Sequence, residues 1–424
     1  MGSFLAAPET LPPGHAPPPG QYLSLLPILN RIWVDVQGVL RYHGRGKIDS
    51  DSSLSNMETL AQQLARQTRE SELYRRLDSN RVECYACGHR CPIPSGFAGV
   101  CKVRYNLEGK LYAPYGYVNS VFSDPIEKKP FFHALPGTQA LSFGMLGCDL
   151  HCGYCQNWVT SQALRDLRST LEFQTVAPKD LVRLALRQQA STLVSTYNEP
   201  LITAEWAVAV FQEAKTVGLT TGFVSNGNAT PEVLEYIRPW VDLYKVDLKS
   251  FSDRRYHELG GRLGPILDSI RRIHALGFWL EIVTLVVPQF NDSDQELTEI
   301  AEFLAGISLD IPWHVTAFHK DYKMIGPDNT PAATLLRAAR IGHSAGLRYV
   351  YAGNLPGRTE GLENTRCPSC RHSVVERLGF RVLRNRLEAT GGKCPDCGTA
   401  IPGVWGGAAR HWHENADLVH IRCG

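Results

Sequence analysis

The stretch GCDLHCGYCQNW, residues 147–158, carries the cysteine triplet Cys148, Cys152 and Cys155. A metal site closed by protein ligands alone normally has four of them, so this C-x3-C-x2-C pattern leaves one position without a thiolate. Ordinary buried thiols are the weakest interpretation, because a loop with two glycines and an aspartate makes a poor core. Zinc with His151 as fourth ligand is chemically allowed, but His151 and the adjacent Cys152 are difficult to direct at one ion. The pattern favours a 4Fe-4S cluster with one iron that lacks a protein ligand.

An iron without a thiolate has a position for a small molecule. The amino and carboxylate groups of S-adenosylmethionine can chelate such an iron, and one electron then splits a C–S bond and releases a 5′-deoxyadenosyl radical. Tyr154, just before the third cysteine, supplies a ring able to pack beside the adenine, although plain packing is the simpler role. The triplet therefore predicts a site for radical chemistry.

A strand and helix rhythm begins near residue 138 and continues to about residue 360. Short runs rich in β-branched residues alternate with amphipathic segments of about 10 to 15 residues, which indicates right-handed βαβ units and a parallel sheet. About six or seven such units predict an α/β fold, a partial (β/α)6-type barrel. Several runs end in polar turns, namely NEP at 198–200, SNG at 225–227, DLK at 247–249 and HK at 319–320. Because the carboxyl ends of barrel strands carry the chemistry, these turns should meet the triplet at one mouth.

Composition is that of a soluble globular protein. The 424 residues are 43% hydrophobic and 20% charged, and the formal net charge of +2 gives no reason to expect a nucleic-acid-binding surface. No apolar run reaches the roughly 18 residues of a membrane span, and the first residues lack the pattern of a signal peptide. All of the 12 cysteines except Cys423 fall into three tight clusters. Clustered thiols without an export signal indicate metal sites in a cytoplasmic protein.

The first outer cluster is the N-terminal quartet, which consists of Cys84, Cys87, Cys91 and Cys101 in C-x2-C-x3-C-x9-C spacing. Four thiolates can close a tetrahedral zinc site or fill an auxiliary iron–sulfur cluster, and spacing alone does not choose between them. A structural metal is slightly favoured.

The second outer cluster is the C-terminal quartet, which consists of Cys367, Cys370, Cys394 and Cys397 in two C-P-x-C knuckles. This pattern predicts a zinc-ribbon or rubredoxin-like module that binds zinc or iron. Since four thiolates are already present, His411 and His413 are expected at the surface.

These patterns divide the chain into four parts. We expect residues 1–80 to form a Pro-rich arm, disordered or loosely attached to about residue 22, and a helical lead-in at Met57–Leu77, which has good helix formers and no Gly or Pro. The other three parts are an N-terminal cysteine module at 81–137, the barrel at 138–360, and the C-terminal metal module with its tail at 361–424.

The triplet with its preceding aromatic resembles the signature of the radical SAM superfamily. The wider text resembles one branch of it, the radical SAM proteins of the AmmeMemoRadiSam system, which are relatives of glycyl radical enzyme activases. The segments that carry this resemblance are DPIEKKPFFHALPG (124–137), GCDLHCGYCQNWVTSQ (147–162), STYNEP (195–200) and VDLKSF (246–251). The similarity runs from about Cys84 to Trp405. Asp149 and Gly88 depart from it, since Asn and Pro are usual at these positions.

The resemblance implies roles for residues in the turns. Asn198 and Glu199 stand where related enzymes bind the methionine ammonium, although a helix start near Glu199 is an alternative. Ser225 and Asn226 are candidates for facing the ribose or carboxylate, or else form a tight turn. Asp247 and Lys249 are expected to line the cofactor pocket as catalytic candidates, or to form a strand-end salt bridge. Residues that could face the substrate are His319, a further catalytic candidate, and Asp124, Glu127 and Lys128.

The sequence thus predicts a radical SAM enzyme that abstracts hydrogen from an unidentified substrate. An electron donor such as a flavodoxin or ferredoxin is the expected partner, and the resemblance adds Memo-like and AMMECR-like proteins. A glycyl radical enzyme activase is the alternative within enzymes. A metal-dependent binding scaffold without turnover is the alternative outside them, and formation of 5′-deoxyadenosine distinguishes it from an enzyme.

Overall fold

The computed structural model describes residues 60–166 and 172–406, together with two short strands, Trp33–Val34 (β1) and Leu40–Arg41 (β2). These two strands pair antiparallel and belong to a separate small unit. The rest of the fold belongs to the larger compact unit, Met57–Ile421. The expected arm at the start of the chain and the tail with its two histidines and last cysteine lie outside the described residues.

The predicted helix at Met57–Leu77 is wrong over most of its length. Helix α1 spans only Leu60–Ala65, and the chain then forms strands Thr68–Glu70 (β3) and Tyr74–Arg76 (β4). Both strands pair with strands further along the chain. The hydrogen bonds gained in sheets override the helix propensity of this segment.

The N-terminal cysteine module is built from small antiparallel sheets. Its further strands are β5 (Val82–Cys84), β6 (Pro92–Ile93), β7 (Tyr105–Leu107), β8 (Lys110–Pro114) and β9 (Tyr117–Val118). The strand orders are β4-β5-β6 and β3-β8-β7. A buried ion pair fixes this module to the barrel, because both terminal nitrogens of Arg104 donate to the carboxylate of Glu205, at 2.9 and 2.6 Å.

The predicted parallel sheet is confirmed. Eight strands are hydrogen-bonded in chain order, and all neighbours are parallel except the first pair. They are β10 (Ser120–Pro125), β11 (Gln139–Gly144), β13 (Thr192–Ser195), β14 (Thr220–Ser225), β15 (Leu243–Asp247), β16 (Trp279–Val286), β17 (Trp313–Ala317) and β18 (Val350–Gly353); the short strand β12 (Gln174–Thr175) pairs with β9 instead. Side chains of the central strands are buried on both faces, as a sheet covered by helices requires.

Helices connect the parallel strands. They are α2 (Trp158–Ser161), α3 (Pro178–Arg187), α4 (Ala204–Thr216), α5 (Pro231–Ile237), α6 (Asp253–Glu258), α7 (Leu263–Ala275), α8 (Asp294–Ala305) and α9 (Ala332–Ser344). Helix α8 shows why they form, since Ser293 caps its first turn and its residues Leu297, Ile300 and Leu304 are buried at helical spacing. Within residues 60–166 and 172–406, no helix has the length and apolarity that crossing a membrane requires.

The segment FFHALPG (131–137) closes the amino end of the barrel. Its backbone is held by Glu281 on β16, whose carboxylate accepts hydrogen bonds from the backbone N–H groups of Phe132 and His133, both at 2.9 Å. The same carboxylate pairs with His314 Nε2 at 2.7 Å. With these hydrogen-bond donors the buried charge of Glu281 is compensated. Glu281 therefore stabilises the amino end of the barrel around residues 131–137, which we call the barrel floor.

The C-terminal module has three antiparallel strands, β19 (Thr365–Arg366), β20 (Ser373–Leu378) and β21 (Arg381–Asn385). Its apolar residues share one buried cluster with the barrel, in which Val374 and Val375 pack with Phe132 and Tyr351. The module is therefore attached to the barrel floor by a common core.

Arg377 strengthens this attachment, and its contact contradicts the expectation that Glu127 faces a substrate. Both side chains are completely buried, with Arg377 Nε 3.4 Å from Glu127 Oε1. Arg377 also donates to the carbonyl of Phe132 at 2.7 Å and lies over its ring. A buried carboxylate needs a cation beside it, and for Glu127 this cation is Arg377 of the C-terminal module. The pair therefore joins the module to the barrel.

We expect Arg377→Met to lower the free energy of unfolding by about 3–5 kcal/mol, because it leaves Glu127 buried without its cation. Burial raises the pKa of Glu127, and loss of Arg377 raises it further. When folding raises the pKa of a carboxyl, the free energy of unfolding of the protein falls as pH rises. The loss of stability in Arg377→Met should therefore be larger at pH 8 than at pH 5. Urea unfolding of the metal-loaded protein at both pH values measures it.

Two further variants make this test specific. Adding Glu127→Gln to Arg377→Met should recover part of the lost stability, because the uncompensated carboxyl is then removed. The matched control is Arg384→Met on β21, where the side chain is exposed and little change is expected. Equal losses in Arg377→Met and Arg384→Met would contradict the structural role of this pair.

Candidate active site

The cysteine triplet follows β11, at the carboxyl end of the parallel strands. Cys152 is buried, whereas Cys148 and Cys155 are partly buried. The apolar residues packed with them include Leu150, Tyr154, Leu259, Val287 and Phe318, which come from the loops after several strands. The triplet therefore lies in an apolar recess at the predicted mouth.

The spacing of the three sulfurs does not suit a single metal ion. They are not all within 4.8 Å of one another, although all three belong to the described residues. A tetrahedral zinc ion with bonds of about 2.3 Å separates its sulfurs by about 3.8 Å. His151 is exposed and its ring lies by Gly260, and among the described residues its ring nitrogens form no group within 4.8 Å with two of these sulfurs. The wider spacing fits a cluster, in which an iron–sulfide core stands between the thiolates.

Electrostatics in the recess oppose free thiolates. Burial raises the pKa values of Cys148 and Cys152, and for Cys148 the neighbouring Asp149 and Glu199 add to the increase. Thiolates in such surroundings need a positive charge to compensate them, which a bound metal provides.

Tyr154 adds an observation that points to a ligand. Its ring is buried and meets Phe290 edge-on, with centroids 5.7 Å apart. Its hydroxyl is buried, and no described residue forms a hydrogen bond with it. Because a buried hydroxyl without a partner is costly, this group fits a molecule bound in the recess.

The NEP turn after β13 brings Asn198 and Glu199 to the mouth. Both are buried, and Asn198 Oδ1 accepts a hydrogen bond from the backbone N–H of Met145 at 2.9 Å. Glu199 accepts from the backbone N–H of Leu201 at 3.1 Å and so caps the 3-10 helix Pro200–Thr203. The helix-start alternative for Glu199 is thus present in the fold, without excluding a ligand.

The SNG turn after β14 contacts the NEP turn directly. The Ser225 hydroxyl donates to Glu199 Oε1 at 2.7 Å, and the backbone N–H of Asn226 donates to Oε2 at 2.8 Å. Burial raises the pKa of Glu199, and Asp149 contributes to the same increase. A cationic group bound near Glu199 would therefore stabilise its carboxylate.

Asp149 is the residue at this site whose role the sequence did not indicate. Its carboxylate is buried and accepts from Asn226 Nδ2 at 2.7 Å and Asn228 Nδ2 at 2.8 Å. His89 of the N-terminal module lies 3.6 Å away. Although burial would raise the pKa of Asp149, His89 and the two amides lower it. The departure from Asn is the only available signal for this network, because its partners lie far away in sequence.

Asp247 and Lys249 form the strand-end salt bridge that was one of their two predicted roles. Lys249 Nζ is 3.6 Å from Asp247 Oδ2, and Lys245 pairs with the other carboxylate oxygen. Burial alone would lower the pKa of Lys249, but Asp247, Cys152 and Tyr154 raise it well above its usual value. Lys249 is thus a cation that interacts electrostatically with Cys152 of the triplet.

The other substrate-facing candidates are dispersed. His319 lies at the mouth, exposed, and its Nε2 is 2.8 Å from the side-chain nitrogen of Gln156 beside the third cysteine. Asp124 is in register with Ala140 near the start of β11, toward the opposite end of the sheet. Lys128 pairs with Asp124 at 2.8 Å. The structure therefore brings only His319 of this group to the triplet.

The two quartets differ in geometry. In the C-terminal quartet all four sulfurs lie within 4.8 Å of one another, with Cys367 and Cys397 3.5 Å apart and Cys370 and Cys394 3.6 Å apart. These distances suit one tetrahedral ion. In the N-terminal quartet, all of whose members are described, no three sulfurs come this close.

Residues 144–304 match the family model described as the Radical SAM superfamily. The chain is 36% identical over 335 residues to "Uncharacterized protein MJ0808" of Methanocaldococcus jannaschii, covering 78% of this chain and 98% of that protein. It is 30% identical over 138 residues to the benzylsuccinate synthase activating enzyme of Thauera aromatica, 29% of this chain and 41% of that enzyme. It is 26% identical over 176 residues to the isethionate sulfite-lyase activating enzyme of Oleidesulfovibrio alaskensis, and this match covers 40% of this chain and 56% of that enzyme.

The matched segment begins at the end of β11 and ends within α8, so it contains the triplet and most strands that form its mouth. The chain spans about half the length of each of the two activating enzymes. With its cysteine triplet at the carboxyl end of a parallel barrel, this chain belongs to the radical SAM superfamily and is a radical SAM enzyme.

Proposed function

We propose that the chain binds a 4Fe-4S cluster through Cys148, Cys152 and Cys155, binds S-adenosylmethionine beside it, and modifies a substrate by hydrogen abstraction. The observation that carries this proposal is the recess itself, where three cysteines too widely spaced for one ion lie beside the buried carboxylate of Asp149, with Cys148 Sγ 3.7 Å from its Oδ1. When bound, the cluster and S-adenosylmethionine supply reductive cleavage to a 5′-deoxyadenosyl radical.

The chain's own residues bind and orient the cofactor in this proposal. Glu199 meets the ammonium group, and its bonds to Ser225 and Asn226 hold the carboxylate in place. Asn198 fixes the turn that presents Glu199, while the unpartnered hydroxyl of Tyr154 supplies one further polar contact. The apolar wall of the recess excludes water from the reactive carbon centre.

Residues at the rim are proposed to act on charge and substrate. Lys249, oriented by Asp247, places a positive charge near the triplet and near the carboxylate group of the bound S-adenosylmethionine. His319 is exposed at the mouth, so it is placed to meet a substrate that enters from solvent. These catalytic roles rest on position at the strand ends.

We expect Glu199→Gln to weaken S-adenosylmethionine binding by about 10- to 100-fold while iron content stays unchanged. The variant keeps one of the two acceptor oxygens, which can still accept from Ser225 and Leu201, but it removes the charge that pairs with the ammonium, which corresponds to about 1.5–3 kcal/mol. Isothermal titration of the anaerobic, iron-loaded protein measures the dissociation constant. Glu213→Gln, on the exposed side of the next helix, is the control. Wild-type affinity in Glu199→Gln would leave the residue with its capping role alone.

The partners follow from the chemistry. Reductive cleavage needs one electron, which a flavodoxin or ferredoxin would deliver in the cytoplasm. The sequence resemblance supports a place beside Memo-like and AMMECR-like proteins in an AmmeMemoRadiSam system.

The C-terminal quartet, in module 361–424, is proposed to hold zinc, or iron in a rubredoxin-like site, as a closed structural centre. The modules at 81–137 and 138–360 would carry the N-terminal quartet and the radical chemistry.

A glycyl radical enzyme activase is the second candidate function. It is favoured by the similarity to the two activating enzymes, whose names state that they activate benzylsuccinate synthase and isethionate sulfite-lyase. In this case the substrate would be a glycine Cα–H bond of a partner protein. A protein encoded nearby that gains a glycyl radical when mixed with the reduced enzyme would establish it.

Formation of 5′-deoxyadenosine tests the proposed function. The reconstituted protein, reduced with dithionite under anaerobic conditions, should convert S-adenosylmethionine to 5′-deoxyadenosine and methionine in equal amounts. Candidate substrates are those that raise this rate above the uncoupled background. Complete absence of 5′-deoxyadenosine with a full cluster present would favour the scaffold alternative.

A further inference from the structure

The N-terminal quartet and the triplet approach each other through one carboxylate. The ligand atoms of Cys87, His89 and Asp149 all lie within 4.8 Å of one another. On its other side, Asp149 Oδ1 is 3.7 Å from the sulfur of Cys148. The path from Cys87 Sγ to Cys148 Sγ therefore consists of one contact within 4.8 Å, the carboxylate of Asp149, and one contact of 3.7 Å.

A second set of contacts joins the two loops that carry these cysteines. Gly147, just before the triplet, approaches the segment after Cys101 so closely that an added Cβ would lie 2.8 Å from Val103 and 3.3 Å from the Cys101 carbonyl. Arg165 donates to the carbonyl of Leu150 at 2.9 Å and also to a carbonyl of the N-terminal module. The two loops are thus held together at Cys101 as well as at Cys87.

Gly88 shows that this approach is built into the fold. Its backbone N–H donates to the carbonyl of Asn228 at 2.8 Å, and an added Cβ would lie 2.2 Å from Asn228 Oδ1. Proline, usual here in the related branch, has neither the N–H nor the space for this contact. The glycine lets the Cys87 loop contact Asn228, the residue after the SNG turn, and Asn228 Nδ2 itself donates to Asp149 Oδ2 at 2.8 Å.

The quartet has the burial and spacing of a cluster site. Cys84, Cys87 and Cys101 are buried, whereas Cys91 is partly exposed. No three of the four sulfurs, all in the described part of the chain, lie within 4.8 Å of one another. In the C-terminal quartet of the same structure all four sulfurs lie within this distance. The C-terminal spacing therefore suits a single ion, whereas the wider N-terminal spacing suits a cluster.

From this geometry we propose that Cys84, Cys87, Cys91 and Cys101 bind a second 4Fe-4S cluster, close enough to the first for the two to interact magnetically across Asp149. The inference rests on the proposed function only for the identity of the first cluster. It also replaces the structural metal that the spacing of the quartet slightly favoured.

Metal and sulfide analysis of the anaerobically reconstituted full chain gives the first test. Two clusters predict about eight acid-labile sulfide ions per chain, whereas one cluster predicts about four. Sulfide is the decisive count, because neither zinc nor a rubredoxin-like iron in the C-terminal quartet contributes any. About four sulfides together with two zinc ions per chain would overturn the proposal.

Electron paramagnetic resonance of the dithionite-reduced protein gives the second test. Two reduced clusters this close should give a broadened, split spectrum, and the triplet variant (Cys148, Cys152 and Cys155 to Ala) should give the narrow signal of one isolated cluster. The partly exposed Cys91→Ala is the milder variant, with a narrow signal from the triplet's cluster expected. Two narrow, non-interacting signals in the wild type would overturn the predicted proximity.

These results separate the inference from the proposed function. Wild-type protein that forms 5′-deoxyadenosine with only about four sulfides would keep the function and reject the second cluster. Protein with two interacting clusters that never cleaves S-adenosylmethionine would keep the second cluster and reject the function.

Discussion

Replacing Cys148, Cys152 and Cys155 together by Ala is expected to remove one 4Fe-4S equivalent and abolish 5′-deoxyadenosine formation. The three sulfurs are the thiol ligands that the recess offers after β11. The carboxylate of Asp149, 3.7 Å from Cys148 Sγ, cannot by itself replace three thiolates of an iron–sulfur cluster. Without a cluster there is no path for the electron that splits the C–S bond. Iron and sulfide analysis and chromatography of the quenched reaction measure both losses.

His151→Ala is the matched control for the triplet. His151 lies in the same loop but is exposed, so its loss should leave the iron, the sulfide and the cleavage rate unchanged. A strong loss of metal in this variant would instead favour the zinc alternative with a histidine ligand. Undiminished 5′-deoxyadenosine formation in the triple variant would refute the radical SAM assignment of this site.

Replacing Cys394 and Cys397 by Ala is expected to abolish the proposed metal binding at the C-terminal quartet and strongly destabilise the module and the barrel floor. Structural zinc contributes on the order of 10–16 kcal/mol to folding of small zinc modules. Here the loss would spread, because Cys367 and Cys394 belong to the buried cluster that also contains Phe132 and Tyr351. Metal analysis, thermal unfolding and limited proteolysis of the full chain measure it.

The shared core determines how this prediction must be tested. An isolated fragment beginning near residue 360 would expose the face that normally packs on Phe132, so the full chain is the appropriate material. Arg384→Met is the control, since Arg384 on β21 is exposed and lies outside the groups of described residues that could hold a metal ion. A Cys394 and Cys397 double variant with unchanged protease resistance would show that the module needs no metal. Cleavage of S-adenosylmethionine should suffer less than stability, because the quartet is a closed site.

The sequence was sufficient for the barrel and for the positions of the mouth residues. Strand and helix periods come from local side-chain patterns, and parallel strands present their carboxyl ends at one edge, so Glu199, Asn226, Lys249 and His319 all follow strand ends as expected. The spacing of the C-terminal knuckles likewise predicted four sulfurs that lie close together, within 4.8 Å of one another.

Contacts between distant segments could not be predicted in this way. The pair Glu127 and Arg377 joins residues 250 positions apart, and no local pattern marks either as a partner. Glu281 reads as a lone acid in an apolar strand until its donors from the barrel floor are known. The lead-in at Thr68–Glu70 became a strand because β8 was available to pair with it. Each case depends on tertiary geometry rather than on propensity.

The closure of the barrel floor by the last described residues has a consequence for synthesis on the ribosome. The backbone of Leu135 and His133 is hydrogen-bonded to Val404, and the His133 ring to the carbonyl of Pro402, a partner 269 residues later. Contacts of such long sequence separation form late, because the intervening chain must first be in place. The floor can therefore close only after residue 404 has left the exit tunnel, and nascent chains that end before residue 400 would expose Phe132 and its neighbours to chaperones.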